Sequence, residues 1–170
     1  MSEVMVVATA QWLPLAVVGV AALVWLVLPV RDKLRVAVHG LLTLALAAGL
    51  VWLAGQLHTD PRPFVHDPSH PAQFAHAADN GFPSDHTTFA VAAAVVVMVV
   101  RRRTGMLLAV LGIAGGMARV AANVHHVQDI VAAVVIACIA AGLAAPVARR
   151  LTPPIAARTA SRLTRRTMAR

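Results

Sequence analysis

The stretch MLLAVLGIAGGMARVAANVHHVQDIVAAVVIACIAAGLAAPV, residues 106–147, decides the fold. It holds two apolar runs, Met106 to Val124 and Ile130 to Val147. Each is near the roughly 20 residues that a helix needs to cross about 30 Å of hydrocarbon. Arg119 stands inside the first run, and His125, His126 and Asp129 stand between the two. Ionisable groups are costly at membrane depth and are kept there for function. The stretch therefore predicts two membrane helices joined by a chemically active corner.

Working outward, three more runs extend the pattern: Met5 to Val30, Val36 to Leu57, and Thr87 to Val100, the last short unless its helix begins near Ser84. The charged knot Arg31-Asp32-Lys33-Leu34-Arg35 separates the first two. The sequence thus predicts an all-α, integral-membrane bundle of about five transmembrane helices. Composition agrees, because 59% of the 170 residues are apolar and 13% charged, against about half and about 25% in a soluble domain. That balance excludes a soluble globule, and the wealth of Val, Leu, Ala and Ile excludes disorder. A single cysteine, Cys138, excludes an internal disulfide scaffold. The net charge of +8 invites a nucleic-acid reading, but Tyr is absent and aromatics are only 4%, too few for base stacking. The bilayer is the expected partner, and nucleic acid is not.

Lys and Arg accumulate in cytoplasmic loops, and with five crossings 13 of the 15 cations fall on one side, leaving Arg62 and Arg119 for the other. The expected topology is N-terminus outside and C-terminus in the cytoplasm. The first run reads as a retained helix, since its start is acidic (Glu3) and it is long for a secretory signal. Residues 1–150 form the expected transmembrane domain. Residues 151–170, rich in Arg, Ala and Thr, form a basic cytoplasmic tail suited to anionic lipid.

Three clusters fall at the outer ends of separate predicted helices. Arg119 is followed by His125 six positions on and Asp129 four after that. If the helix continues or restarts here, His125 and Asp129 share a face, where the carboxylate takes one ring nitrogen and leaves the other as nucleophile or base. Pro83, Ser84, Asp85 and His86 form a helix start whose backbone N–H groups suit a phosphate. Asp60-Pro61-Arg62-Pro63 closes the second helix and holds Arg62 in a stiff turn, where a guanidinium can grip phosphate oxygens in parallel. His58, His66, His70 and His76, with Asp60, Asp67 and Asp79, match no fixed metal-ligand spacing and read as a solvated loop. His39 reads as a packing or interhelical hydrogen-bond residue rather than a catalyst, Gly112 and Gly116 as a close-packing pair, and Trp12 and Trp52 as interface anchors.

On these residues the chain resembles the type 2 phosphatidic acid phosphatase superfamily. Its three motifs are met by Arg62-Pro63, by Pro83-Ser84-Asp85-His86, and by Arg119 with His125 and Asp129 at the same spacing. The intervening text, Pro61-Arg62-Pro63-Phe64-Val65 and His76-Ala77-Ala78-Asp79-Asn80-Gly81-Phe82-Pro83-Ser84-Asp85-His86-Thr87-Thr88, is similar to the bacitracin-resistance type of undecaprenyl-diphosphate phosphatase. The chain departs from the pattern at Gly55, where the first motif has Lys, and at Ala118, where the third has Ser. The family also usually has six crossings rather than five. His58 or His66 stands as a replacement for the missing cation.

The resemblance implies hydrolysis of a lipid diphosphate on the extracytoplasmic side of a bacterial inner membrane, recycling a cell-wall carrier lipid. It implies His125 as nucleophile, Asp129 as its orienting acid, and His86 as proton donor and then base. Arg62, Arg119, Ser84 and the backbone near Asp85 would hold the phosphate. No cofactor or metal is implied. Alternative readings are action on another lipid phosphate such as phosphatidylglycerol phosphate, phosphate transfer to another acceptor, or a non-catalytic membrane assembly factor. The assembly-factor reading implies tolerance of substitution at His86 and His125.

Overall fold

The computed structural model describes residues 2–152. The basic tail read from the sequence lies outside the described residues apart from Leu151 and Thr152. The described chain is helical: α1 (Glu3–Leu26), α2 (Val30–Leu57), the one-turn α3 (Pro63–His66), α4 (Asp85–Met98), α5 (Arg102–Ala121) and α6 (Val127–Leu151). Four of these, α1, α2, α5 and α6, are long and apolar enough to cross a membrane, and the protein is a multi-pass membrane bundle.

The third run, predicted from Thr87 to Val100, is the 14-residue helix α4, about 21 Å long at 1.5 Å per residue. It is shorter than the hydrocarbon core, and its surroundings explain why that is tolerated. It packs against α1, α2, α5 and α6, and Thr87, Thr88, Ala90, Val91, Ala92, Ala94, Val96 and Val97 are buried. A helix apolar all round belongs at a hub.

The charged knot is not an interhelical loop. α2 starts at Val30 behind Pro29, a residue suited to helix entry, so the knot forms its first turns. The turn is held by Trp25, whose indole N–H donates to the Lys33 carbonyl at 3.0 Å, with the Lys33 ammonium 5.7 Å from the ring centre.

Packing is inverted relative to a soluble protein. On α6 the buried residues are Ile130, Ala133, Ala137, Ala140, Ala141, Ala144 and Ala148. The exposed ones are Val127, Val131, Val135, Ile139, Leu143 and Val147, four apart. Small residues inside let backbones approach, while branched residues meet lipid. Cys138 lies on the exposed side. On α5, Gly112 faces Ala90 and Val91 of α4, and a Cβ on Gly116 would stand 2.7 Å from the Thr87 hydroxyl. His39 bonds the Ala141 carbonyl at 3.0 Å through Nε2, tying α2 to α6. Trp12 and Trp52 are exposed.

Helices α4 and α5 turn tightly through residues 99–101, where a Cβ on Gly105 would meet the Met98 backbone at 2.5 Å. Arg35 and Arg149 share one small cavity with His39 and Val99. Cations therefore gather at that end, and the long connection of residues 58–84 lies at the other.

Gly116→Ala is expected to destabilise the bundle by about 1–3 kcal/mol through overpacking against Thr87. The check is thermal unfolding in detergent, with Gly142→Ala as control because nothing lies within 4 Å of a Cβ there.

Candidate active site

At the end opposite the cationic cluster, the connection of residues 58–84 folds back over the bundle, and Asn80 pins it. Its side-chain oxygen accepts from Asp60 N at 2.9 Å and Phe82 N at 3.1 Å. Its amide donates to the Gly55 carbonyl at 3.1 Å and the His58 carbonyl at 3.0 Å. Gly81 N adds a bond to Asp60 O at 2.9 Å. A Cβ on Gly55 already stands 3.3 Å from the Phe82 carbonyl, so glycine lets the connection lie against the end of α2.

Arg62 enters from the N-cap of α3, with Pro63 after it. Its Nε donates to Asp79 at 2.7 Å, and its Nη1 donates to the Val124 carbonyl at 2.9 Å and lies 3.4 Å from His125 Nε2. Arg119 reaches the same region from the last turn of α5 and is only 2% exposed. Its Nη1 donates to Ala10 O at 3.2 Å and its Nη2 to His76 Nε2 at 3.0 Å. The guanidinium lies 5.8 Å from the centre of the Phe74 ring, and its Nε has no hydrogen-bond partner among the described residues. Two buried guanidiniums with donors to spare suit a phosphate.

The corner between α5 and α6 is a restart rather than a continuous helix, with His125 just before the new helix. α5 ends at Ala121, the chain takes a left-handed turn at Asn123 (φ 61°), and α6 restarts at Val127 with His126 as N-cap. A small amide side chain tolerates that conformation, and the Asn123 amide donates to the His70 carbonyl. Asp129 is thus the third residue of α6. Its Oδ2 accepts from the His126 backbone N–H at 2.8 Å, a capping interaction. The same oxygen pairs with His125 Nδ1 at 3.1 Å. His125 and Asp129 are 2% and 0% exposed.

With Nδ1–H donated to Asp129, His125 presents the Nε2 lone pair beside Arg62. Burial pushes the His125 imidazole below its ordinary range, the bond to Asp129 pulls it up, and the charges of Arg62 and Arg119 push it down again, for a net lowering. The neutral, nucleophilic ring is the favoured form.

Ser84 is fully buried as the N-cap of α4, its oxygen 3.5 Å from Thr87 N and 3.0 Å from the Thr87 hydroxyl. Its own N–H donates to Asp129 O at 3.3 Å. His86 is half-buried and pairs through Nδ1 with Asp85 at 2.7 Å. An open cleft of about 320 Å³ is lined by Gln11, Trp12 and Leu15 of α1 and by Phe74, Ala75, His76, His86 and Arg119; His125 and Arg62 lie behind this lining, next to His76 and to each other. The structure therefore brings Arg62, Arg119, His125 and Asp129 together, sets His86 with Asp85 on the cleft, and places Ser84 beneath it as a cap.

Residues 58–84 are not the uniformly solvated loop read from composition. His76 meets both Arg119 and His125, the latter with ring centres 6.4 Å apart. His58 packs its ring on Phe82 at 4.6 Å, and His66 ends the exposed side of α3, so neither replaces the lysine absent at position 55. His70 pairs with Asp67 at 2.8 Å in a surface turn. Asp60 accepts from His126 Nδ1 at 2.9 Å and Gln128 at 2.6 Å. Burial raises its carboxyl, but those bonds and the His126 charge outweigh it, for a net lowering.

Asp60, His126 and Asp129 place potential metal-ligand atoms within 4.8 Å of one another. Asp60 Oδ2, His126 Nδ1 and Asp129 Oδ2 serve one hydrogen-bond network that ties residues 58–84 to the start of α6. The sequence set Asp60, Asp79 and Asn80 among the loop and motif residues but gave no sign of these roles, which depend on how the connection folds back.

Comparison with known proteins accords with this geometry. The chain is 29% identical over 117 residues to the bacitracin transport permease protein BcrC of Bacillus licheniformis, covering 69% of this chain and 57% of that protein. It is 37% identical over 94 residues to the undecaprenyl-diphosphatase BcrC of Bacillus subtilis, covering 54% of this chain and 48% of that protein. The chain thus spans about half the length of these curated relatives. No solved structure matches it. The PAP2 superfamily profile matches residues 36–153, a span that takes in both arginines, the α4 cap and the corner between α5 and α6, and the chain belongs to the PAP2 superfamily.

Proposed function

We propose that the chain is a lipid-diphosphate phosphatase that hydrolyses a polyprenyl diphosphate to the monophosphate through a phosphohistidine intermediate. The observation that carries this reading is His125, held through Nδ1 by buried Asp129 with Nε2 beside Arg62. The undecaprenyl-diphosphatase relative supplies the substrate class. Nε2 attacks the terminal phosphorus, and the P–O bond to the lipid monophosphate breaks. His86 gives its proton to the departing oxygen, then takes one from the water that cleaves the N–P bond. Asp129 stabilises the imidazolium. Arg62 and Arg119 neutralise charge on the equatorial oxygens, the main lever in phosphoryl transfer. Ser84 keeps the α4 N-terminus formed, so that its backbone donors face the phosphate.

The asymmetry of charge supports an orientation: the end bearing Arg35 and Arg149 faces the cytoplasm, and the site faces out. In cells carrying Cys138→Ala with Ser69→Cys, a membrane-impermeant maleimide is expected to label position 69 without permeabilisation. Labelling only after permeabilisation contradicts the orientation.

Phosphate release in detergent, with chelator present, tests the activity on a panel of prenyl diphosphates and phosphatidylglycerol phosphate. A preference of tenfold or more for the prenyl diphosphates, about 1.4 kcal/mol, is expected. The reverse preference favours the glycerophospholipid reading. His125→Ala is expected to lose about a thousandfold or more and Asp129→Asn about 10²–10⁴-fold, both with cooperative unfolding retained. Near-wild-type turnover in His125→Ala contradicts the mechanism.

The pH profile follows from the depressed His125. The neutral ring is the active form, so the acid limb of kcat/KM follows the lowered pKa of His125 and lies below the usual 6.5. Arg62→Gln removes a charge that depresses the ring and is expected to move this limb upward, besides weakening binding.

A further inference from the structure

Residue 55 carries no cation, and its carbonyl is bound by Asn80. The side chain that meets Arg119 instead is His76, within the field of Arg62. It sits half-buried on the cleft, 3.0 Å from Arg119 Nη2, with its ring centre 6.4 Å from that of His125. Its Nδ1 lies 3.4 Å from the Ala77 carbonyl. A guanidinium donates only, so Nε2 accepts and the proton stands on Nδ1. His76 is therefore held as a neutral ring whose lone pair engages a phosphate-binding group.

We propose that His76 is a third phosphate-binding side chain of this site: it holds Arg119 toward the cleft, hands that guanidinium to the entering phosphate, and then binds the phosphate itself. This rests on the phosphatase reading. A phosphate oxygen is the stronger acceptor for Arg119 Nη2. Once it takes that bond, the freed Nε2 picks up a proton from solvent and donates to the phosphate, while Nδ1–H keeps Ala77. The gain is a third positive charge, made only when an anion is present to stabilise it.

The surroundings favour a neutral ring before phosphate enters. Burial lowers His76 first, the charges of Arg62 and Arg119 add to it, and the bond to the Ala77 carbonyl opposes them, for a net lowering. The charged or titratable groups around it are Arg62 before α3, Arg119 on α5 and His125 at the corner, with His86 of α4 on the same cleft; Asp79 pairs with Arg62 and Asp85 with His86. From α1 the cleft receives only Gln11, Trp12 and Leu15, none ionisable. Two cations and the nearby histidines oppose protonation, and an incoming diphosphate reverses the sign of that field.

The test compares wild type with His76→Gln and His76→Lys. Glutamine keeps an acceptor for Arg119 but cannot take the proton, and lysine supplies a fixed cation. With farnesyl diphosphate from pH 5.5 to 8.5, wild-type KM is expected to rise with pH. His76→Gln is expected to raise KM about tenfold at the acid end and flatten its pH dependence, with the change falling on KM more than on kcat. His76→Lys is expected to restore low KM at alkaline pH. A Gln variant with wild-type KM and pH dependence overturns the proposal, since His76 then only holds Arg119.

Calorimetry with inorganic pyrophosphate in buffers of different ionisation enthalpy gives a second readout, independent of turnover. Wild type is expected to take up about one more proton than His76→Gln near pH 7, and equal uptake overturns the proposal. If wild type releases no phosphate from any diphosphate, the phosphatase reading fails, and the proton count alone decides His76.

Discussion

One carboxylate oxygen organises this protein. Asp129 Oδ2 accepts the His126 backbone N–H that opens α6 and, on the same atom, meets the His125 ring. A cap on a helix and an anchor on a nucleophile are usually separate devices. Here they are one, so the start of α6 and the aim of His125 stand or fall together. The cost is a buried carboxylate, which a helix N-terminus and two donors make tolerable. Asp129 Oδ1 has no partner among the described residues.

The rest of the bundle serves that corner. α4, too short for an easy crossing, is enclosed by four neighbours, and its capped N-terminus is joined to α6 through the Ser84 N–H bond to Asp129 O. Gly115 of α5, where a Cβ would stand 2.9 Å from Pro14, lets α1 and α5 meet closely enough for Arg119 to bond the Ala10 carbonyl of α1. Residues 58–84 then close over the end. Asn80 fixes their exit from α2, and Asp60 ties them to His126 and Gln128. The result is a cleft walled by α1 on its lipid side and by cationic groups within.

The membrane class and the identity of His125, Asp129, Arg62 and Arg119 as one constellation were legible in the sequence, because long apolar runs and isolated charges are strong local signals. The geometry of the pair was not. A spacing of four fits a helical face, but Asn123 breaks the helix, and the contact arises instead from a residue before the cap and one three positions inside it. Ser84 was legible as a cap. The histidines of the connection were not separable by composition: His58, His66, His70 and His76 look alike in the sequence. Only the Asn80 staple and the return past Ala122, where Gln73 N bonds its carbonyl at 3.1 Å, decide that His76 is the one turned inward. The basic knot after α1 was misread for a simpler reason, since charged residues are good helix formers and Pro29 is a good start.

Rapid alkaline quenching of the protein during turnover of a diphosphate labelled in its terminal phosphorus, followed by peptide mapping, tests this account most directly. Acid-labile, alkali-stable label on the peptide bearing His125, and specifically on that ring, is the expected result. Label on His86, His126 or a hydroxyl residue, or substrate consumed with no labelled protein under conditions that trap a control phosphohistidine, contradicts it.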